Sequence, residues 1–256
     1  MVKGLDKFKT FFKDFSNSYI IIGGTACHVQ FEELSIGFRA TSDIDMLLII
    51  EPLNSDFVKR FWEFIKEGKY DITQVEEKKR NYYRFADPVE DNFPVLIELF
   101  SRLPDVIQEI EGMHLTPIPL DDDLSSLSAI LMDVDYYNFT FENAQVIDNL
   151  SLASIESLIL LKIIAFLNLS KLKNDGENID SKNIKKHKND ILRLAAALTA
   201  GSKIECSEKI KIDVRSYINT IKEEKPNVTN MFKEMGLKDI KIEDLIEQLQ
   251  STFLNE

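Results

Sequence analysis

The hydrophobic period of this chain changes near Ser151, and that change constrains the fold more than any other feature. Before it, short apolar or alternating runs are bounded by Gly, Pro, Asp or Asn: Tyr19 to Ile22, Met46 to Ile50, Tyr82 to Phe85, Val95 to Phe100, His114 to Leu120, Leu127 to Val134 and Gln145 to Leu150. Runs of that length, bounded in that way, read as strands. Helical spacing alternates with them: up to about Asp14, again after Gly23-Gly24, and from Asp56 to Glu67, where Phe57, Phe61 and Phe64 recur on one face and Gly68 closes the helix. From Ser154 the spacing is helical and stays so. It predicts a helix to about Leu169, a polar linker from Lys171 to Ser181, a helix to about Leu198 and two more near the C-terminus. The expected organisation is an α/β (α+β) domain over residues 1–150 and an all-helical domain over 151–256. No repeat period or heptad run appears, which removes the main support for solenoids and coiled coils.

With 256 residues the chain has room for one or two domains. Its 44% hydrophobic and 29% charged residues exclude global disorder. A net charge of −12 repels polyphosphate surfaces at long range and argues against a general coat of nucleic acid or anionic lipid, though not against one local basic cleft. Cys27 and Cys206 form no CxxC pair, so neither a disulfide framework nor a zinc knuckle is signalled, and a reducing cytoplasmic compartment fits. Met1 to Phe15 lacks the apolar core of a secretory leader. The longest apolar stretch, Leu158 to Leu167, is interrupted by Lys162 and falls short of the roughly 20 residues that a bilayer requires. No membrane association is expected.

Asp43 and Asp45 flank Ile44 at the start of an apolar strand, so their side chains point the same way. Two like charges that close call for a held proton or for a divalent cation that both ligate. A solvated turn is the bland alternative. Upstream, Ile20-Ile21-Ile22-Gly23-Gly24-Thr25 is a strand ending in a glycine pair, a turn that lets backbone N–H groups approach a phosphate at a helix N-terminus. Downstream, Val95 to Phe100 carries one charge, Glu98, which is either compensated on an apolar face or turned to water at a sheet edge.

Together, the Gly-Gly-Thr turn, Arg39-Ala40-Thr41-Ser42-Asp43-Ile44-Asp45 and the later Glu98 resemble the nucleotidyltransferase superfamily typified by DNA polymerase beta. The wording GGTA…RATSDIDMLL looks most like its abortive-infection toxin-like (type IV toxin-antitoxin) branch, with Thr25 standing where many members have serine. The resemblance covers roughly the first hundred residues. It implies a mixed β-sheet and an Mg2+-dependent enzyme that passes a nucleotide from a nucleoside triphosphate, ATP among the candidates, to a hydroxyl of a protein, tRNA or small molecule. Asp43, Asp45 and Glu98 would ligate two metal ions, Glu98 would help deprotonate the acceptor, and Gly23, Gly24 and Thr25 would hold the triphosphate. Arg39 either neutralises phosphate or braces the turn. An antitoxin-like partner protein is a further implication. The acidic balance weakly disfavours RNA as acceptor. A different class remains beside this one, a catalytically inactive nucleotide-binding or interaction module on the same fold.

In the helical half, Lys162 is out of place among apolar neighbours. Either it snorkels to the surface or, as the resemblance implies, it turns to the triphosphate. Lys185-Lys186-His187-Lys188-Asn189-Asp190 resembles a basic segment of the same branch that would bring Lys186 to the nucleotide, but Arg193 fills the second acidic position. The competing reading is a solvated face with Lys186 and Asp190 as an ordinary i,i+4 pair. His187 falls on a packed face, His28 and His114 lack ligand-spaced partners, Cys27 reads as a small core residue, and Asp121-Asp122-Asp123 reads as a turn.

Overall fold

The computed structural model describes residues 2–39, 41–48, 55–70, 82–100 and 133–255. In chain order its elements are α1 (Leu5–Phe12), β1 (Tyr19–Ile22), α2 (Gly23–Glu33), β2 (Asp43–Leu48), α3 (Ser55–Gly68), β3 (Tyr82–Ala86), β4 (Leu96–Phe100), α4 (Val134–Glu142), β5 (Gln145–Ile147), β6 (Leu150–Leu152), α5 (Ile155–Asn174), α6 (Ser181–Ala195), α7 (Glu208–Glu224), α8 (Thr229–Glu234) and α9 (Ile242–Phe253). The strands form one sheet in the order β3-β4-β2-β1-β6-β5. It is mixed: β1–β2, β3–β4 and β5–β6 are antiparallel, and β1–β6 and β2–β4 are parallel. Strands followed by helices is the order that the change of period leads one to expect, and the mixed sheet is the one that the resemblance implies.

Some details differ from the sequence expectation. Gln145 to Leu150 is a hairpin rather than one strand, because Asp148 and Asn149 take φ of 51° and 63° between β5 and β6. Two consecutive positive φ values make the tight turn whose twist suits a two-residue hairpin. Val134 does not end a strand; it opens α4, which buries Tyr136, Tyr137, Phe139 and Thr140. The helix after Ser154 continues past Leu169 to Asn174, shortening the linker, and α7, α8 and α9 give three further helices where two were expected. His114 to Leu120, Leu127 to residue 132, Asp121-Asp122-Asp123 and Glu51-Pro52 lie outside the described residues.

The chain divides into two compact units. The first comprises Met1–His28, Arg39–Asp121 and Asn143–Ala153; the second comprises Val29–Phe38, Asp122–Glu142 and Ser154–Glu256. In the first unit a cluster of aromatic rings decides which sheet face is closed. Phe8 and Phe12 of α1 meet Tyr19 of β1, Phe12 meets Phe57 of α3, and Phe61 of α3 meets Phe85 of β3, all at centroid separations of 5.3–6.3 Å. Side chains alternate along a strand, so α1 and α3 cover the face carrying Tyr19, Ile21 and Phe85. The opposite face carries Ile20, Ile22 and Arg84.

The second unit rests on α5. Ser154 caps it by accepting from the Ser157 N–H at 3.2 Å, and its buried residues run around the helix from Leu158 to Leu169, as an apolar segment with no polar stripe requires. Ser207 caps α7 and also donates to Asp135 at 2.9 Å, while Tyr136 donates to Asp213 at 2.7 Å, so α4 and α7 are tied by polar contacts as well as by packing. No helix among the described residues is long and apolar enough to cross a membrane.

Candidate active site

Register alone brings the acids together. In the parallel ladder, Asp45 of β2 stands opposite Glu98 of β4 and Asp43 stands opposite Leu96. In the antiparallel ladder on the other side, Asp45 stands opposite Ile22, the last residue of β1. Cross-strand partners share a face, so Asp43, Asp45 and Glu98 all lie on the face away from α1 and α3. Ile44, Met46, Ile97 and Leu99 take the closed face and are buried there.

The start of α2 meets the same place. Gly23 has φ of 66°, and a Cβ built on it would fall 1.8 Å from Asp45 Oδ2. Only glycine serves, for two independent reasons: the left-handed backbone and the carboxylate lying against it. A Cβ on Gly24 would come within 2.6 Å of the Thr41 hydroxyl. Thr25 is fully buried, and its hydroxyl donates to the Asp43 carbonyl, so it fastens the base of α2 to the first residue of β2. Its side chain therefore braces the acids. Gly23→Ala is expected to destabilise the protein by at least about 1–2 kcal/mol from the backbone alone, and further because the Asp45 carboxylate must move; the shift in thermal midpoint measures it.

Glu98 is buried, at 6% exposure. Burial is the first cause that raises its pKa, to about 8; the Asp45 charge and a hydrogen bond to Asp45 add to it, Arg84 opposes them, and Asp43 contributes least. Arg84 of β3 is the cross-strand partner of Glu98, with Nε 3.6 Å from Oε1. The sequence reading missed this residue. Tyr82 to Phe85 looks like an ordinary strand, and only the β3–β4 register reveals which side chain faces Glu98.

The donor set suits a hard divalent cation, since it offers carboxylate oxygens in excess of local positive charge. As they stand, the acids are tied to neighbours rather than turned for ligation: Glu98 shares a hydrogen bond with Asp45, and Asp43 Oδ1 accepts from Ser42 at 2.7 Å. Among the described residues no group of three or more His, Cys, Asp or Glu side chains stands placed to hold a metal ion, so ligation by these acids requires their side chains to turn.

This proton carries a stability consequence. Between the usual carboxyl value and about 8, folded Glu98 keeps a proton that the unfolded chain has released. Its contribution is whole below the unfolded value and is lost as pH rises through about 8. Urea midpoints taken at about pH 5 and about pH 9 should fall, and Glu98→Gln should flatten that slope.

The remaining candidates are placed as follows. Arg39 is half-buried in the segment leading to β2. Lys162 belongs to the second unit, is buried at 6% and pairs through Nζ with Asp190 Oδ2 at 3.0 Å. It does not snorkel. Asp190 is fully buried and takes Arg193 on its other oxygen at 3.2 Å, so its partners are Lys162 and Arg193 rather than the Lys186 of the expected i,i+4 pair. Lys186 is exposed on α6, and His187 is half-buried.

No protein-family model and no curated protein matches this chain. Among solved structures it is similar to an antigenic nucleotidyltransferase-like protein from Paracoccidioides brasiliensis, with TM-score 0.43 and 13% identity over 96% of this chain and 99% of that one. It is also similar to the Megavirus polyadenylate synthase, with TM-score 0.29 and 10% identity over 92% of this chain. The chain spans half the length of that synthase. Neither likeness, at these values, speaks for a shared activity.

Proposed function

We propose that this chain is a nucleotidyltransferase that moves a nucleoside monophosphate from a nucleoside triphosphate to an acceptor hydroxyl. One arrangement supports the reading: three carboxylates share one sheet face, two of them directly opposite each other, beside a glycine-paired helix start. Such crowding of carboxyl groups is relieved either by a held proton or by a cation, and a cation would take the place of the proton that Glu98 holds. In the proposed reaction the acceptor oxygen bonds to the α-phosphorus, the bond from that phosphorus to the bridging oxygen breaks, and pyrophosphate leaves. Asp43, Asp45 and Glu98 would hold Mg2+ ions, which when bound activate the attacking oxygen and stabilise the departing one. Glu98, once cation charge beside it has displaced its own proton, would assist deprotonation of the acceptor hydroxyl. The N–H groups at the start of α2 face phosphate oxygens with the positive end of the helix, Gly23 and Gly24 allow the close approach, and Thr25 holds the turn from beneath.

In this proposal residues 1–150 carry the chemistry, with Arg39 supplying positive charge to the nucleotide. The RATSDIDMLL wording extends it to a toxin-like, cytoplasmic enzyme restrained by an antitoxin-like protein, with ATP among the donors and a protein, tRNA or small molecule as acceptor.

The test is to incubate the protein with ATP, GTP, CTP and UTP, each labelled at the α-phosphate, in magnesium and cell extract fractionated into protein, RNA and small molecules. Label entering one fraction supports the reading and names the acceptor class. Absence of both label transfer and magnesium-dependent nucleotide binding would leave the inactive module.

A further inference from the structure

Arg84 stands on β3, an edge strand of the described sheet, directly across from Glu98. At 3.6 Å, Nε and Oε1 make an ion pair rather than a short hydrogen bond. The guanidinium side chain is 32% exposed, whereas that of Glu98 is 9% exposed. The cation therefore sits at the rim of the acid cluster, with its partner deeper in.

Charge decides what happens to it next. The cluster gathers three carboxyl groups on one face, and Arg84 offsets part of their charge. Divalent cations that take Glu98 replace that offset and repel the guanidinium, while a triphosphate brings new negative charge to the same face. A planar fork of N–H donors matches phosphate oxygens as well as carboxylate. We infer that Arg84 is a phosphate ligand: it rests beside Glu98 before the nucleotide arrives and turns to the triphosphate afterwards. This rests on the nucleotidyltransferase reading and adds to it a nucleotide-binding residue from the sheet edge.

Calorimetry would measure two affinities, for Mn2+ alone and for α,β-methylene analogues of the four nucleoside triphosphates in Mn2+. Arg84→Ala should bind Mn2+ alone at least as tightly as the wild type, since a competing cation is gone. It should bind the Mn2+-nucleotide about 10- to 100-fold more weakly, the range for a lost charged hydrogen bond. Arg84→Lys should recover part of the loss, because it returns the charge without the fork. Arg84→Gln, which keeps the length of the side chain, stands in if the alanine variant melts early. Unchanged nucleotide affinity overturns the inference while the wider reading stands. A drop in Mn2+ affinity as large as the drop for nucleotide also overturns it, making Arg84 a residue that only positions Glu98. Wild-type protein that binds nucleotide no better with Mn2+ than without it, and no better than Asp45→Asn, overturns the nucleotidyltransferase reading and this inference with it.

Discussion

Asp45→Asn is expected to lower nucleotidyl transfer at least about a thousandfold, the loss that removing several kcal/mol of transition-state charge stabilisation implies. The substitution keeps shape and removes charge. Asp45 occupies the centre of the cluster: it faces Glu98 across β2–β4, lies against Gly23 and adjoins Asp43 on one face. The same change should leave the thermal midpoint level or raise it, because it removes the charge that most strongly opposes ionisation of Glu98 after burial itself. Opposite signs in activity and stability distinguish a functional charge from a structural one. Transfer within a few-fold of wild type, on a folded variant, would sink the metal assignment.

Asp190→Ala should cost about 3–5 kcal/mol, because it takes the shared carboxylate from two cations in a buried setting. Asp190 has no exposed surface and holds Lys162 at 3.0 Å and Arg193 at 3.2 Å. The paired replacement Lys162→Met with Asp190→Leu should cost less, since it trades the buried pair for apolar volume and leaves only the partly exposed Arg193 to find water. Thermal unfolding followed by circular dichroism measures both. A single substitution no worse than the double would show that the ion pair contributes little.

How much of this is legible in the sequence depends on the range of the interaction. The pairing of Asp43 with Asp45 on one face is local, because period 2 settles it. Glu98 stands out because it is the one charge in an apolar strand. Arg84 has no such signal: it becomes visible only when β3 and β4 pair, since a shift of one residue would send it to the other face. Helix α4 is hidden for another reason. Its residues Tyr136, Tyr137, Phe139 and Phe141 favour strands by propensity, and burial of three of those rings within the helical unit overrides that preference. The Asp148-Asn149 turn, by contrast, carries a readable hairpin signature within an interval that looks like one strand.

The parallel pairing of β2 with β4 also bears on how the protein reaches its native state. Hairpins such as β3–β4 and β5–β6 close short loops, but Asp45 and Glu98 meet only when the chain closes a loop of about fifty residues. Such non-local pairing forms slowly, and it must here bring two carboxylates into a shared, poorly hydrated place. During refolding the hairpins should therefore gain protection from hydrogen exchange before the β2–β4 ladder does. Mildly acidic solution, by lending Glu98 its proton, should then speed the final docking step.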